Sequence, residues 1–136
     1  MNWLKGYHDD HKSVLLLLAK FEGNILSLKA GQATPHIFTE FEEFGDVIKN
    51  VIIPHFKSEE TGIYLTVSES GPTGKSFIDK MLNEHNALYE LFDNYLSAVE
   101  AEDNEKLIEI SNRLEHVLRH HIIKEEDEIP KIMEGK

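Results

Sequence analysis

The chain has 136 residues, a formal net charge of −11 and no cysteine. Its length fits one domain with its own core, and 40% hydrophobic against 29% charged residues indicates a globular chain. The acidic balance argues against nucleic-acid binding, and the lack of cysteine excludes disulfides, iron–sulfur clusters, thiolate zinc sites and thiol nucleophiles. We therefore expect residues 1–136 to form a single domain.

The longest apolar run, residues 14–19, is too short to span a bilayer. It follows Asp9 and Asp10, whereas a signal peptide begins with basic residues. These features predict a cytoplasmic protein without a membrane partner.

Four segments show helical periodicity and are separated by residues that favour turns. The first ends at Gly31, and the second has Thr34 as a candidate N-cap and Pro35 at its first position. The predicted helices cover residues 9–30, 35–65, 75–101 and 104–133. Long helices joined by short loops predict an all-α, antiparallel up-down four-helix bundle.

Pro54 lies inside the second predicted helix, directly before His55. A proline there removes a backbone hydrogen bond and clashes with the preceding turn. We expect either a kink that orients His55 or a break of the helix at this point.

The two halves of the chain resemble each other. The pattern H-x-x-x-E-E-x-x-I begins at His55 and again at His121, near the ends of the second and fourth predicted helices. The pair Asp10-His11 in the first helix matches a Glu-His pair ending at His85 in the third. This internal repeat predicts a bundle with pseudo-twofold symmetry.

One histidine per helix falls on the apolar stripe, and two helices add a glutamate one turn further on. The stripes consist of His11, Val14 or Leu15, Leu18, Phe21, Ile25 and Leu28; of Phe41, Phe44, Ile48, Ile52, His55, Glu59 and Ile63; of Ile78, Met81, His85, Leu88, Phe92 and Tyr95; and of Leu107, Ile110, Leu114, Leu118, His121, Glu125 and Ile129. An ionised glutamate on a core stripe is costly unless it is paired or binds a metal.

Antiparallel topology places all these histidines and glutamates at one end of the bundle. The candidate metal ligands are His11, His55, Glu59, His85, His121 and Glu125. Imidazole and carboxylate without sulfur suit iron, manganese or zinc, and disfavour magnesium and calcium. Two glutamates could bridge two ions, so a di-iron centre fits this set best, with zinc chemically possible.

The set D-H, H-x-x-x-E-E, E-H and H-x-x-x-E-E, one element per helix, resembles the hemerythrin-like HHE cation-binding domain over nearly the whole chain. The resemblance implies a four-helix bundle that holds two non-haem iron ions joined by an oxo or hydroxo bridge. It further implies bridging carboxylates at Glu59 and Glu125. The terminal ligands it implies are His11, His55, His85 and His121.

This sequence departs from the pattern of the oxygen-carrying members. Those have H-x-x-x-H on the third helix, where Tyr89 here follows His85 by one turn, and H-x-x-x-x-D on the fourth, where this chain has H-x-x-x-E. His8 could supply a fifth imidazole; otherwise the site is more open than in the oxygen carriers. The iron–sulfur repair members have a cysteine-bearing N-terminal domain, which these residues do not include.

Several other polar side chains lie near the candidate ligands or could compete with them. We expect Glu60 and Glu126 beside the ligands or at the surface, and Tyr89 in the core with its phenol within reach of a bound oxygen species. His120 lies on a polar stripe, so pairing it with Glu125 is the less favoured assignment. His36, at a helix start, is expected to be exposed.

The function predicted from these observations is binding of O2, or of nitric oxide or peroxide, at a di-iron centre for sensing, storage or delivery. The alternative is a di-iron oxidase or peroxidase, or a protein that handles nitric oxide or iron as the repair members do. Whether the protein is an enzyme stays open, with preference for a non-catalytic role. A metal-free helical interaction module with an acidic surface is the least favoured hypothesis, because it would bury glutamates without partners.

Overall fold

The computed structural model describes residues 2–32 and 35–135, and this part of the chain is helical without any strand. It forms four helical segments, of which the second is divided. The helices are Asn2–Lys29 (α1), Pro35–Val47 (α2), Ile53–Thr61 (α3), Ile63–Ser68 (α4), Pro72–Ala101 (α5) and Asn104–Glu134 (α6), and a π-helix, Ile48–Ile52, joins α2 to α3. The predicted all-α class with four helical segments is confirmed.

The first helix begins earlier than predicted, at Asn2 instead of residue 9. Its buried face continues upstream through Tyr7, which is 8% exposed, so the helix extends beyond the predicted start. At its other end Gly31 has a φ of 81°, and its N–H donates to the carbonyl of Leu28 at 3.1 Å. Thr34, the predicted N-cap of the second helix, lies outside the described residues.

The second segment is not the continuous α-helix predicted for residues 35–65. In the π-helix the N–H of Ile53 donates to the carbonyl of Ile48, five residues earlier. Pro54 follows directly. Its ring would clash with the carbonyl four residues before it in a regular α-helix, and the wider π turn provides room. The helix therefore does not break at the proline.

The break lies at Gly62, between α3 and α4, where φ is −125° and ψ is −96°. A Cβ at this position would lie 3.0 Å from the carbonyl oxygen of Ser58, a close approach that favours glycine. Because these angles are not helical, α4 does not continue the helical phase of α3. The segment then extends to Ser68, beyond the predicted end at residue 65.

The last two helices match their predicted bounds more closely. α5 starts at Pro72 instead of residue 75, after Gly71 with a φ of 143°. The Asp103 side chain accepts a hydrogen bond from the backbone N–H of Lys106 at 3.2 Å and so caps the start of α6. No helix in the described part of the chain is long and apolar enough to cross a membrane.

The predicted stripes form the interior. Every stripe position is buried except Leu15, His55, Ile63 and Ile110, which are half-buried. The buried polar residues lie between two apolar clusters, since Phe56 of the larger cluster stacks on His85 with ring centroids 3.9 Å apart, and Tyr64 of the smaller cluster hydrogen-bonds to Glu125. The fold thus builds a polar centre inside an apolar core.

Candidate metal centre

The structure brings together all the side chains predicted to bind metal. α1 supplies one, α3 supplies two, α5 supplies one and α6 supplies two; they are His11, His55, Glu59, His85, His121 and Glu125. All are buried except His55, whose side chain is 14% exposed. The π turn and the proline that precede His55 hold it, with Glu59 one turn later, towards this centre.

The donor atoms form two groups that share one carboxylate. Within each group, one nitrogen or oxygen atom per residue lies within 4.8 Å of the others. The first group is His11, His55 and Glu59; the second is Glu59, His85, His121 and Glu125.

Each glutamate reaches imidazoles of both groups. Glu59 Oε2 lies 3.4 Å from His55 Nε2 and 3.5 Å from His11 Nε2, while its Oε1 lies 3.2 Å from His85 Nε2. Glu125 Oε1 lies 3.3 Å from Nε2 of both His11 and His121. Both carboxylates therefore stand between the two pairs of imidazoles.

The donor set fits metal ions, because several of its buried polar atoms have no hydrogen-bond partner among the described residues. These atoms are Nδ1 and Nε2 of His11, Nε2 of His55, Oε1 of Glu59 and Oε1 of Glu125. An unsatisfied buried polar atom costs roughly 1–3 kcal/mol, so a cluster of them at one point is unfavourable without a cation. Imidazole nitrogen with carboxylate oxygen suits iron, manganese or zinc.

The close packing of buried ionisable groups at this centre also shifts their pKa values. Burial raises the pKa of Glu125, whereas the neighbouring imidazoles, His11 first, lower the pKa of Glu59 against the effect of its burial. Burial also opposes the charge on His11, but the carboxylates of Glu125 and Glu59, 3.3 and 3.5 Å from its Nε2, outweigh this effect and raise the pKa of His11 to about 10. The centre thus favours positive charge next to its carboxylates.

Each imidazole has an acid near its other ring nitrogen. Glu60 Oε2 lies 2.7 Å from His85 Nδ1, and Glu84 Oε1 lies 2.9 Å from His121 Nδ1. At longer range, an oxygen of Glu126 lies 3.7 Å from His11 Nδ1 and one of Asp10 lies 4.0 Å from His55 Nδ1. Of these outer acids, the two within hydrogen-bond distance, Glu60 and Glu84, can fix the ring orientation and direct Nε2 towards a metal.

The sequence placed these four acids next to the candidate ligands without assigning this pairing. Each paired acid is a sequence neighbour of a ligand, preceding a single histidine or following the glutamate of an H-x-x-x-E motif. The hydrogen bond with His121 lowers the pKa of Glu84 to about 2, against the effect of burial and with help from Lys124. The position of these acids next to the candidate ligands in the sequence was the signal from which the pairing could have been found.

Other histidines and Tyr89 lie outside the two donor groups. His8 is mostly exposed, and its Nδ1 lies 2.6 Å from an oxygen of Glu126, so it is a neighbour of an outer acid. The phenol of Tyr89 donates to Glu60 at 2.9 Å. His120 is exposed with its Nδ1 2.9 Å from the carbonyl of His116. His36 is likewise exposed, as predicted, and its Nε2 lies 3.6 Å from an oxygen of Glu40.

Sequence reasoning missed two tyrosines. Tyr7 donates its phenol proton to Glu59 Oε2 at 2.6 Å, and Tyr64 donates to Glu125 Oε2. Burial is the main cause that raises the pKa of both phenols. Tyr7 lies one helical turn before His11 and could have been found from that spacing. Tyr64 could not have been found from helical spacing, because the break at Gly62 interrupts the helical phase.

Comparison with known proteins agrees with this geometry. A model of the family described as "Hemerythrin HHE cation binding domain" matches residues 2–132. No curated protein and no solved structure matches the chain. The match covers nearly all of the sequence, and the buried histidine and glutamate side chains form a group that could hold a metal ion. The chain belongs to the hemerythrin HHE cation-binding domain family.

Proposed function

We propose that this chain binds two non-haem iron ions and takes up O2, or a related diatomic, for sensing, storage or delivery. The observation that carries the proposal is the pair of donor groups with Glu59 in common, lined by buried polar atoms without partners among the described residues. One such group would account for a single ion. Two groups that share a carboxylate favour a pair of ions.

The distances support a specific ligand assignment. We assign His11 and His55 to one ion and His85 and His121 to the other, with Glu59 and Glu125 as carboxylates shared between them. The approach of Glu125 Oε1 to Nε2 of both His11 and His121 supports the sharing.

Iron supplies the reversible redox chemistry and the affinity for O2 that side chains lack. The protein's own residues orient the imidazoles through their outer acids and exclude water. Phe56 covers one side of His85, and the ring of Tyr7 packs on His11 with centroids 4.2 Å apart. His55, the most exposed of the four imidazoles, marks the side from which a small molecule would enter.

The same proposal includes one domain over residues 1–136 with antiparallel, up-down helices. Support comes from the contacts between α5 and α6. Glu84 in α5 pairs with Lys124 in α6, whereas Asn94 and Ala98, further along α5, line a cavity with Lys106 and Ile110 near the start of α6. Residue numbers that rise along one helix while they fall along its neighbour favour antiparallel packing.

The test is iron loading under anaerobic conditions, followed by exposure to O2. We expect two irons per chain and a visible absorption that appears with O2 and disappears when it is removed. His121→Ala should lower the iron content, while the matched control His120→Ala, one residue away on the exposed face, should keep both irons. A chain that binds no iron, or an iron-loaded chain that is unaffected by O2, would refute the proposal.

The placement of Tyr89 supports a second candidate, an oxidase, a peroxidase or a protein that handles nitric oxide or iron. Tyr89 occupies the position where oxygen carriers have another histidine, and its phenol contacts Glu60 outside the donor groups. The imidazole missing there leaves room for chemistry on a bound molecule. Single-turnover assays with peroxide or nitric oxide distinguish the candidates, since rapid consumption favours catalysis and stable reversible O2 uptake favours carriage.

A further inference from the structure

Tyr64 occupies an unusual place in the second donor group. It is 1% exposed and lies two residues after the break at Gly62, in the short helix α4. Its phenol oxygen is 3.0 Å from Nε2 of His85 and 3.5 Å from Nε2 of His121, and it hydrogen-bonds to Oε2 of Glu125. One oxygen atom thus lies next to three candidate metal ligands.

The distances from the phenol oxygen to the two imidazoles are similar to those between the candidate ligands themselves. Nε2 of His85 lies 3.1 Å from Nε2 of His121 and 3.2 Å from Oε1 of Glu59. Two donors bound to one ion at about 2.1 Å and at right angles to each other are about 3 Å apart. The phenol oxygen of Tyr64 therefore lies at a distance from these donor atoms that suits a further ligand of the same ion.

The other tyrosines near the centre do not share this geometry. The phenol of Tyr7 hydrogen-bonds to Glu59, and the phenol of Tyr89 hydrogen-bonds to the outer acid Glu60. Among the described contacts, Tyr64 alone places its phenol oxygen within 3.5 Å of the Nε2 atoms of two imidazoles. The three tyrosines are therefore distinguishable by experiment.

We propose that the phenolate oxygen of Tyr64 is a further protein ligand of the metal ion held by His85 and His121. The inference rests on the proposed function, because it requires an ion at that position. On binding, the phenol O–H bond breaks, its proton leaves to solvent, and the oxygen forms the bond to the metal. Glu125 Oε2, which accepts the phenol proton's hydrogen bond, becomes free for the metal. Tyr64 thereby adds an oxygen ligand beside the imidazoles of His85 and His121.

The test uses the full chain loaded with iron and oxidised to the ferric state. A phenolate bound to ferric iron gives an intense visible charge-transfer absorption, and resonance Raman excitation in that band enhances tyrosine ring vibrations. We expect these vibrations in the wild type and a shift when the protein is produced with ring-deuterated tyrosine. Tyr64→Phe should lose them while keeping two irons, and the controls Tyr7→Phe and Tyr89→Phe should retain them.

The outcomes separate this inference from the proposed function. Two irons per wild-type chain without tyrosine vibrations would overturn the Tyr64 ligand alone, as would vibrations that persist in Tyr64→Phe. No bound iron would overturn both. If Tyr64→Phe fails to fold, the labelled wild type together with the two control variants still decides, because loss of the vibrations in either control would assign the bound phenolate to another tyrosine.

Discussion

Oε2 of Glu60 lies 2.7 Å from Nδ1 of His85, although the glutamate belongs to α3 and the histidine to α5. The same carboxylate oxygen accepts the phenol hydrogen of Tyr89 at 2.9 Å. Glu60 therefore orients an imidazole of the neighbouring segment while its own neighbour in sequence, Glu59, faces the centre.

Glu60→Gln is expected to weaken metal binding without removing a proposed ligand. A neutral amide is a poorer acceptor for the Nδ1 proton of His85, so the imidazole becomes a weaker donor and is held less firmly. Loss of such an outer carboxylate reduces metal affinity by about 10- to 100-fold. Competition with a chelator measures the change, and Glu90→Gln on the exposed side of α5 is the matched control. Equal affinities for the two variants would show that Glu60 has no such role.

Glu125→Gln is expected to change stability and metal binding in opposite directions. Burial raises the pKa of this carboxyl, so at neutral pH its ionisation destabilises the fold when no metal is present. The isosteric amide removes that cost, while the carboxylate of Glu59, 3.5 Å from His11 Nε2, remains as the charge partner of this imidazole. The unfolding free energy of the chelator-treated protein should therefore rise by on the order of 1 kcal/mol. The same change should reduce the iron content. Urea unfolding with Glu128→Gln, an exposed site in α6, as control tests this, and lower stability than the wild type would contradict it.

Metal binding is expected to release protons and to strengthen as pH rises. The pKa of His11 is raised to about 10, so the imidazole is protonated at neutral pH, and it must lose this proton before it can donate a lone pair to a metal. Each proton released makes the affinity rise up to about tenfold per pH unit below that pKa. Calorimetric titration with Mn²⁺ at one pH in two buffers of different ionisation enthalpy counts the protons. Equal heats in both buffers would exclude the linkage.

Two glycines in helices should respond oppositely to alanine. A Cβ at Gly23 in α1 would lie in open space, with no neighbour within 4 Å in the described part of the chain, so Gly23→Ala should stabilise by about 1 kcal/mol through helix propensity. At Gly74 in α5 a Cβ would lie 2.1 Å from the carbonyl oxygen of Val67, so Gly74→Ala forces the backbone apart and should cost about 1–3 kcal/mol. Denaturant unfolding of both variants provides the measurement; a stabilised Gly74→Ala protein would mean that the loop before α5 adjusts freely.

The parts of the fold that the sequence predicted well are those governed by periodic burial. The core stripes could be read because helical spacing repeats over long stretches, and His11, His85 and His121 are buried on them. The starts of α1 and α5 were predicted less well, whereas the predicted starts at residues 35 and 104 match those of α2 and α6. The first turns of α1 and α5 depend on packing of Tyr7 and on the turn at Gly71, which short-range signals do not determine.

The second segment shows why the rest of the fold and of the site could not be predicted from the sequence. Pro54 allowed a kink or a break; the helix does not break at the proline, and a π turn lies directly ahead of it. The break instead falls at Gly62, where a Cβ would lie 3.0 Å from the carbonyl oxygen of Ser58, so a side chain would require that carbonyl to shift. Beyond such a break helical spacing no longer indicates direction, so the approach of Tyr64 to the donor groups could not be derived from periodicity.

The outer acids connect the two halves of the chain as well as orienting the imidazoles. Asp10 and Glu84 each face a histidine of their own half, whereas Glu60 and Glu126 each face one of the opposite half. Neither half of the chain alone therefore contains all the acids that face its histidines. With metal bound, fraying of one terminus would leave most of the contacts around the ions intact. Ions should therefore escape only when the molecule opens cooperatively. The rate of metal loss to excess chelator then reports global unfolding.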